Sequence, residues 1–287
     1  MSRPVRIEFP GAHYHLTSKG NSEQLIFADD MDRAAFLQVI DSVVGRFGWL
    51  LHSYVLMDRH YHLVVACPLA NLSKGMRQLN GVYTQHFNRR HGQDGPLFQG
   101  RFKSVLFEPE TYLLPLCRHV ELNPVRLKSS NMPQSYRWSS FRATAGVVKA
   151  PTWLHSAALL ANFEPSGDAQ QQYRDYVKAG IGAPSPLAER SAQVLLGSTG
   201  FLNEMQPILN GEKLAKRGPK RAGRRRTLEN LFRLIEGKTR LERNELIRRA
   251  HIKHAYTLME IGDFLGLHYT TVSKVINQQG PAAVASV

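Results

Sequence analysis

Hydrophobic positions recur along this chain with two periods, and the switches between them outline its elements. Tyr14-His15-Leu16-Thr17 alternates like a strand behind the Pro10-Gly11 turn signal. Phe36, Leu37, Ile40, Val43 and Val44 share one helical stripe, which predicts a helix over about 31–46 capped by Asp30. Residues 50–57 and 60–66 read as the two strands of a hairpin, with Asp58-Arg59 as its tight turn. A second helix starts at Asn71 or Ser73, with Leu72, Met76, Leu79, Val82, Tyr83 and Phe87 on one side, and the run HGQDGP at 91–96 breaks it. Residues 102–107 suggest a further strand, and Pro109 opens a helix that ends near Asn123-Pro124.

The order strand-helix-strand-strand-helix-strand-helix predicts an α+β fold over residues 1–145. Its natural closure is a ferredoxin-like antiparallel sheet with helices on one face. Residues 146–212 read as an all-α connector, with Leu159, Leu160 and Phe163 early and Val194, Leu195 and Leu196 late. Residues 227–280 read as a small helical domain, and a length of 287 residues suits two domains with a linker.

Within that last domain, TLMEIGDFLGLHYTTVSKVI (257–276) has the pattern of a helix-turn-helix. Thr257 caps a helix over about 258–265, and Glu260 stands at the capping-box position. Gly266 supplies the turn, and Val272, Val275 and Ile276 point inward on a second helix. His268, Tyr269, Thr270, Thr271, Ser273 and Lys274 then face outward, short polar groups suited to base edges and phosphates in a major groove. An ordinary helical hairpin gives the same pattern. The segment resembles the C-terminal DNA-binding domain of bacterial replication initiators and the helix-turn-helix tails of transposase relatives.

Charge adds a partner class. The chain holds 37 Lys and Arg against 23 Asp and Glu, a net charge of +14. Residues 1–150 contribute +7, residues 151–212 contribute −3, and residues 227–287 contribute +2. The 14 residues KLAKRGPKRAGRRR at 213–226 alone contribute +8, with Lys216, Arg217, Arg224, Arg225 and Arg226 prominent among them. Such a run is either a solvated linker or an arm that holds phosphates by releasing counterions. Two cysteines exclude a disulfide scaffold. No apolar run reaches bilayer length, and the start of the chain lacks a signal-peptide core. The expectation is a basic cytoplasmic, nucleoid-associated DNA-binding protein.

Candidate chemistry centres on His60-Tyr61-His62. Strand alternation sends both histidines to one face, where they either share a divalent ion or simply hydrogen-bond. His119 and Asn123 are four apart on the last helix of the first domain and share a face. If that helix packs beside the histidines, the Asn123 oxygen becomes a third ligand. With DNA phosphate oxygens and waters completing the shell, Mg²⁺ or Mn²⁺ is the expected ion. Arg89, Arg90, Arg101, Lys103 and Arg126, interleaved with Phe98, Phe102 and Trp138, suit a single strand whose bases stack while its phosphates are held.

The motifs YHLTSKGN (14–21), LMDRHYHLVV (56–65), NLSKGMRQLNGVYTQHFNRRHGQDGPLFQGRFKS (71–104), YLLPLCRHVELNPVR (112–126) and YRWSSFRA (136–143) resemble the HUH-class single-tyrosine transposases, in particular the REP-associated branch. The resemblance covers about residues 3–145. It implies metal-dependent nicking and rejoining of hairpin-forming single-stranded DNA, in DNA transposition and recombination. By the same resemblance His60 and His62 are the metal pair and Asn123 the third ligand. The family's tyrosine nucleophile stands one turn earlier, and here that position is His119.

The departure leaves three readings. The protein is a domesticated relative that binds DNA without cleaving it; or Tyr112, seven residues upstream, substitutes; or His119 itself ligates or attacks phosphorus. As a ligand it would make a three-histidine set attractive to Zn²⁺. The alternative from another class is a non-enzymatic regulator reading duplex DNA through the helix-turn-helix. Family relatives occur as monomers and as homodimers.

Overall fold

Residues 54–57 and 63–67 are apolar without interruption, so their strands present apolar side chains to both faces and need cover on both. The architecture follows from that. The computed structural model describes residues 7–164, 167–191, 194–209, 227–233, 239–252, 256, 258–268, 271–272 and 275–276. The chain divides into two units, Met1–Leu214 and Ala215–Val287.

The first unit runs β1 (Ala12–Lys19), α1 (Asp30–Phe47), β2 (Leu50–Met57), β3 (His60–Cys67), α2 (Leu72–His91), β4 (Lys103–Phe107) and α3 (Pro109–Glu121). Beyond these come α4 (Asn123–Arg126), α5 (Phe141–Thr144), α6 (Ala157–Leu160), α7 (Ala169–Ala179), β5 (Leu195–Leu196) and α8 (Thr199–Leu209). The sheet order is β2-β3-β1-β4-β5. The first four strands are antiparallel, in the ferredoxin-like arrangement expected. β5 joins β4 in parallel, so the sheet is mixed.

Leu195 and Leu196, expected in a helical connector, are thus an edge strand. Two apolar residues carry no period that separates strand from helix. The backbone N–H of Leu106 bonds to Val194 O and that of Glu108 to Leu196 O, at 2.8 and 2.9 Å. Leu159, Tyr173, Leu195 and Met205 are buried in the cores on the sheet, so the stretch assigned to a connector packs within the first unit.

Pleating divides the core in two. Tyr14, Leu16, Tyr61, Leu63 and Val65 pack under Phe36, Ile40 and Val43 of α1 and Met76, Leu79 and Tyr83 of α2. Val55, Val64, Val105 and Phe107 face the other way, onto Leu116, Cys117 and Val120 of α3 and Tyr173 and Val177 of α7. The expectation of helices on one face therefore holds for α1 and α2 and fails for α3, which covers the opposite face. Each fully buried aliphatic or aromatic side chain contributes roughly 1.5–3 kcal/mol to this closure.

Two local details also differ from expectation or sharpen it. Asp29, not Asp30, caps α1, accepting the N–H groups of Met31 and Asp32 at 2.9 and 3.1 Å. Asp30 instead accepts from Trp138 Nε1 at 2.7 Å and Arg137 at 3.0 Å. Gly75 lets α2 approach the Trp49 ring, since a Cβ there would lie 2.1 Å from Cζ2.

In the second unit α9 (Leu228–Phe232), α10 (Arg240–Ile252) and α11 (Leu258–Leu265) enclose Phe232, Ile247, Ala250, Ile261, Val272 and Val275. Gly266 follows α11 at φ +65°, the left-handed conformation expected of the turn. Among the described residues no helix is long and apolar enough to cross a membrane.

Candidate metal centre and nucleic-acid interface

The covered face that meets α3 carries the candidate chemistry. Alternation along β1 and β3 puts His15, Thr17, His60 and His62 on it, and register sets Thr17 opposite His62 and Lys19 opposite His60. Asn123, first residue of α4, reaches both histidines of β3. Its Oδ1 lies 3.3 Å from His60 Nε2, and its Nδ2 lies 3.4 Å from His62 Nε2. The expected trio is therefore brought together from one strand, β3, and the first residue of α4.

Electrostatics keep both imidazoles neutral, the form that ligates metals. Burial lowers the pKa of His60, while its hydrogen bond to Asn123 opposes the shift. Burial also pulls His62 well below the ordinary imidazole range, helped by His15, His60, His119 and Arg126. The donor set of two imidazoles and an amide oxygen suits a divalent ion completed by phosphate oxygens or water, provided His60, whose Nε2 donates to Asn123 Oδ1 in the metal-free site, moves its proton to Nδ1. Among the described residues no three His, Cys, Asp or Glu side chains group as a metal site.

His119 is 8% exposed and lies one turn before Asn123. Burial, and secondarily Arg126, lowers its pKa to about 4. Arg126 donates from Nη2 to the His119 carbonyl at 3.1 Å. This supplies a partner where α3 ends, and partial burial lowers the guanidinium's own pKa. Tyr112, the substitute nucleophile considered above, donates its hydroxyl to Glu189 at 2.7 Å, and that bond raises its pKa. Such a phenol is less readily deprotonated than a free one.

Behind the site, Glu121 is fully buried, which raises its pKa to about 7 against the pull of its hydrogen bonds. Ser140 donates to Oε1 at 2.6 Å and Tyr173 to Oε2 at 2.6 Å, with Ser53 at 3.4 Å from Oε1. Helix α7 is thereby bonded to the last turn of α3. Arg118 reinforces the contact, its guanidinium 4.4 Å from the Tyr176 ring centre.

The basic residues separate by role. Lys103 pairs in register with Thr17, which pairs with His62, so the three share one cross-strand row. Arg89, Arg101 and Lys103 are exposed. Arg90 is bound to Asp32 and Asp29, each at 2.5 Å, which raises its pKa. Its guanidinium is thus already paired with two carboxylates while remaining at the surface. Phe98 and Phe102 are buried in the first core, not displayed for stacking on bases. Trp138 is half-buried, with Arg137 4.8 Å from its ring centre.

In the second unit His268 and Thr271 are exposed. Tyr269, Thr270, Ser273 and Lys274, like Lys216, Arg217, Arg224, Arg225 and Arg226, lie outside the described residues. Sequence reasoning missed His15, Thr17 and Lys19 as members of the site. Their shared alternation on β1 was visible, but the pairing of β1 with β3 was not.

Residues 9–113 match a family model described as transposase, IS200-like. The chain is similar to a solved REP-associated tyrosine transposase bound to a REP hairpin. The two are 16% identical over 53% of this chain and 89% of that one, with a TM-score of 0.45. It is also similar to a solved protein of Deinococcus radiodurans R1 described as a transposase, at 13% identity over 39% of this chain and 89% of that one, with a TM-score of 0.30. No curated protein matches the sequence.

Proposed function

We propose that the first unit, which carries an IS200-like transposase domain, binds single-stranded or hairpin DNA at the face of His60, His62 and Asn123 without the covalent tyrosine step. The observation that carries this reading is one amide, Asn123, within hydrogen-bond distance of both imidazoles, with a histidine one turn before it. A divalent ion held by His60, His62 and Asn123 would polarise a phosphate as a Lewis acid. Lys103 in the row of His62, with Arg101 nearby in sequence, would hold flanking phosphates, which position the strand without reading its sequence. Position 119 is where the resemblance calls for a tyrosine, and an imidazole cannot form the phosphotyrosine link. DNA binding is then what the domain retains.

The test is a labelled, hairpin-bearing single strand incubated with the full-length protein and Mn²⁺. Binding without cleavage is expected from the natural sequence, and gain of nicking with a covalent adduct from His119→Tyr. An adduct formed by the natural protein would overturn the reading. Its loss in His119→Ala would identify a histidyl intermediate, in which phosphorus exchanges its bond to the 3′-oxygen for one to imidazole nitrogen. Its loss in Tyr112→Phe would identify Tyr112.

A second reading concerns the other unit. The left-handed Gly266 between α11 and the buried Val272 and Val275, with Thr271 exposed, supports a helix-turn-helix that reads duplex DNA. The basic run at 213–226 would add a sequence-independent hold on phosphates. Its removal should flatten the salt dependence of binding.

A further inference from the structure

His62 makes more polar contacts than a ligand and its helix partner require. Its Nε2 faces Asn123, while its Nδ1 meets two groups from β1: His15 Nε2 at 3.0 Å and Thr17 Oγ1 at 2.9 Å. The His15 and His62 ring centres are 5.1 Å apart with their planes 19° from parallel. That separation exceeds the N···N distance by about two ring radii, so the rings meet edge to edge, each nitrogen in the other's plane. This is the geometry of an N–H···N hydrogen bond, not of a stack.

A neutral imidazole carries one N–H and one lone pair. The amide nitrogen of Asn123 only donates, so the His62 Nε2 it faces must accept, and the His62 proton sits on Nδ1. That proton needs an acceptor. The Thr17 hydroxyl rotates and serves as donor or acceptor, so by itself it leaves both tautomers open. His15 is 3% exposed and offers Nε2 in the ring plane. We infer that His15 is a positioning residue: its Nε2 accepts the Nδ1–H of His62 and so holds His62 in the tautomer whose Nε2 lone pair faces Asn123.

The consequence rests on the metal reading given above. A ligand histidine must present a lone pair to the ion, and the group bonded to its other nitrogen decides whether that lone pair is ready. In many sites a carboxylate or a carbonyl takes that part. Here a second imidazole takes it, and the proton on His15 is in turn placed on Nδ1. Three side chains, Asn123, His62 and His15, thus have linked proton positions across two strands and a helix end.

The test uses the full-length, metal-free protein with ¹⁵N-labelled histidine. Long-range ¹H–¹⁵N spectra separate N–H-type from lone-pair-type ring nitrogens, and the His62 signals are identified by their loss in His62→Gln. The expected result is an N–H-type Nδ1 in the natural sequence and a mixture of tautomers in His15→Phe and His15→Leu. His15→Asn, whose amide oxygen also accepts, should restore the single tautomer. Mn²⁺ titration should show affinity weakened about 10–100-fold in His15→Phe and largely recovered in His15→Asn.

An Nε2-protonated His62 in the natural protein overturns the inference, whatever the variants do. So does an unchanged tautomer in a folded His15→Phe or His15→Leu. Failure of the natural protein to bind Mn²⁺, with the tautomers as expected, overturns the metal reading and leaves the role of His15 standing.

Discussion

Replacing Tyr173 with Phe tests how firmly α7 holds the end of α3. Tyr173 is fully buried, and its hydroxyl is the hydrogen-bond partner of Glu121 Oε2 at 2.6 Å, whereas Ser140 and Ser53 both address Oε1. Tyr173→Phe keeps the ring and leaves one carboxylate oxygen in the core without its donor. At about pH 8 the carboxylate is ionised, being above its value of about 7. A hydrogen bond to a charged group contributes about 1.5–3 kcal/mol, and that is the expected destabilisation.

Trp49, Trp138 and Trp153 are the chain's three tryptophans and all lie in the first unit, so their fluorescence in a urea titration reports that unit. In a Glu121→Gln background the same substitution should cost less, leaving a coupling of about 1 kcal/mol or more. A cost below about 0.5 kcal/mol, the scale of ordinary surface substitutions, would refute the reasoning, and so would an equal cost in both backgrounds.

Three further outcomes follow from the geometry. Burial, with His13 and His155 nearby, holds His52 at about 3 against an ordinary 6.5. Its contribution to stability is therefore complete above 6.5 and is lost as pH falls toward 3, by up to about 1.4 kcal/mol per pH unit; urea midpoints between about pH 7 and pH 4 should show that slope reduced in His52→Gln. Asp32 is fully buried and accepts from Arg90 at 2.5 Å and His91 at 3.0 Å. Asp32→Ala should cost about 1–3 kcal/mol in denaturant titrations, because the Ala28 N–H, 2.9 Å from Asp32 Oδ2, loses its acceptor while the exposed Arg90 keeps Asp29. Gly75→Ala forces a methyl group against the Trp49 indole, so a loss of about 1–3 kcal/mol and an altered Trp49 emission are expected.

The sequence made the elements of the first unit legible through β4 and α3, because alternation and helical stripes there are long enough to read. It did not reveal which faces those elements share. The apolar run in β3 is buried on both sides, and only the pairing of β1 between β3 and β4 shows that His15 and Thr17 stand beside His62. Leu195 and Leu196 were opaque because a two-residue strand is defined by the edge it joins. Arg90 looked like a free cation until the fold brought Asp32 and Asp29 to it. His60, His62 and Asn123 were legible as a set through the resemblance, and the structure supplies the amide bridge between the two rings. Glu121 could not be recognised as buried from its place in ELNP, since a carboxylate near a helix end is ordinarily solvated.

Pro124 offers no N–H to the carbonyl of Val120, which shares the Leu122 N–H, while the guanidinium of Arg126 takes the His119 carbonyl. Helices α3 and α4 are consequently two short rods meeting at a joint, and the joint falls between residue 119 and Asn123. An uninterrupted helix would carry every backbone bond between residue 119 and Asn123. A side chain at position 119 therefore stands one turn from the Asn123 amide, on a stretch where one rung of the helical hydrogen-bond ladder is missing.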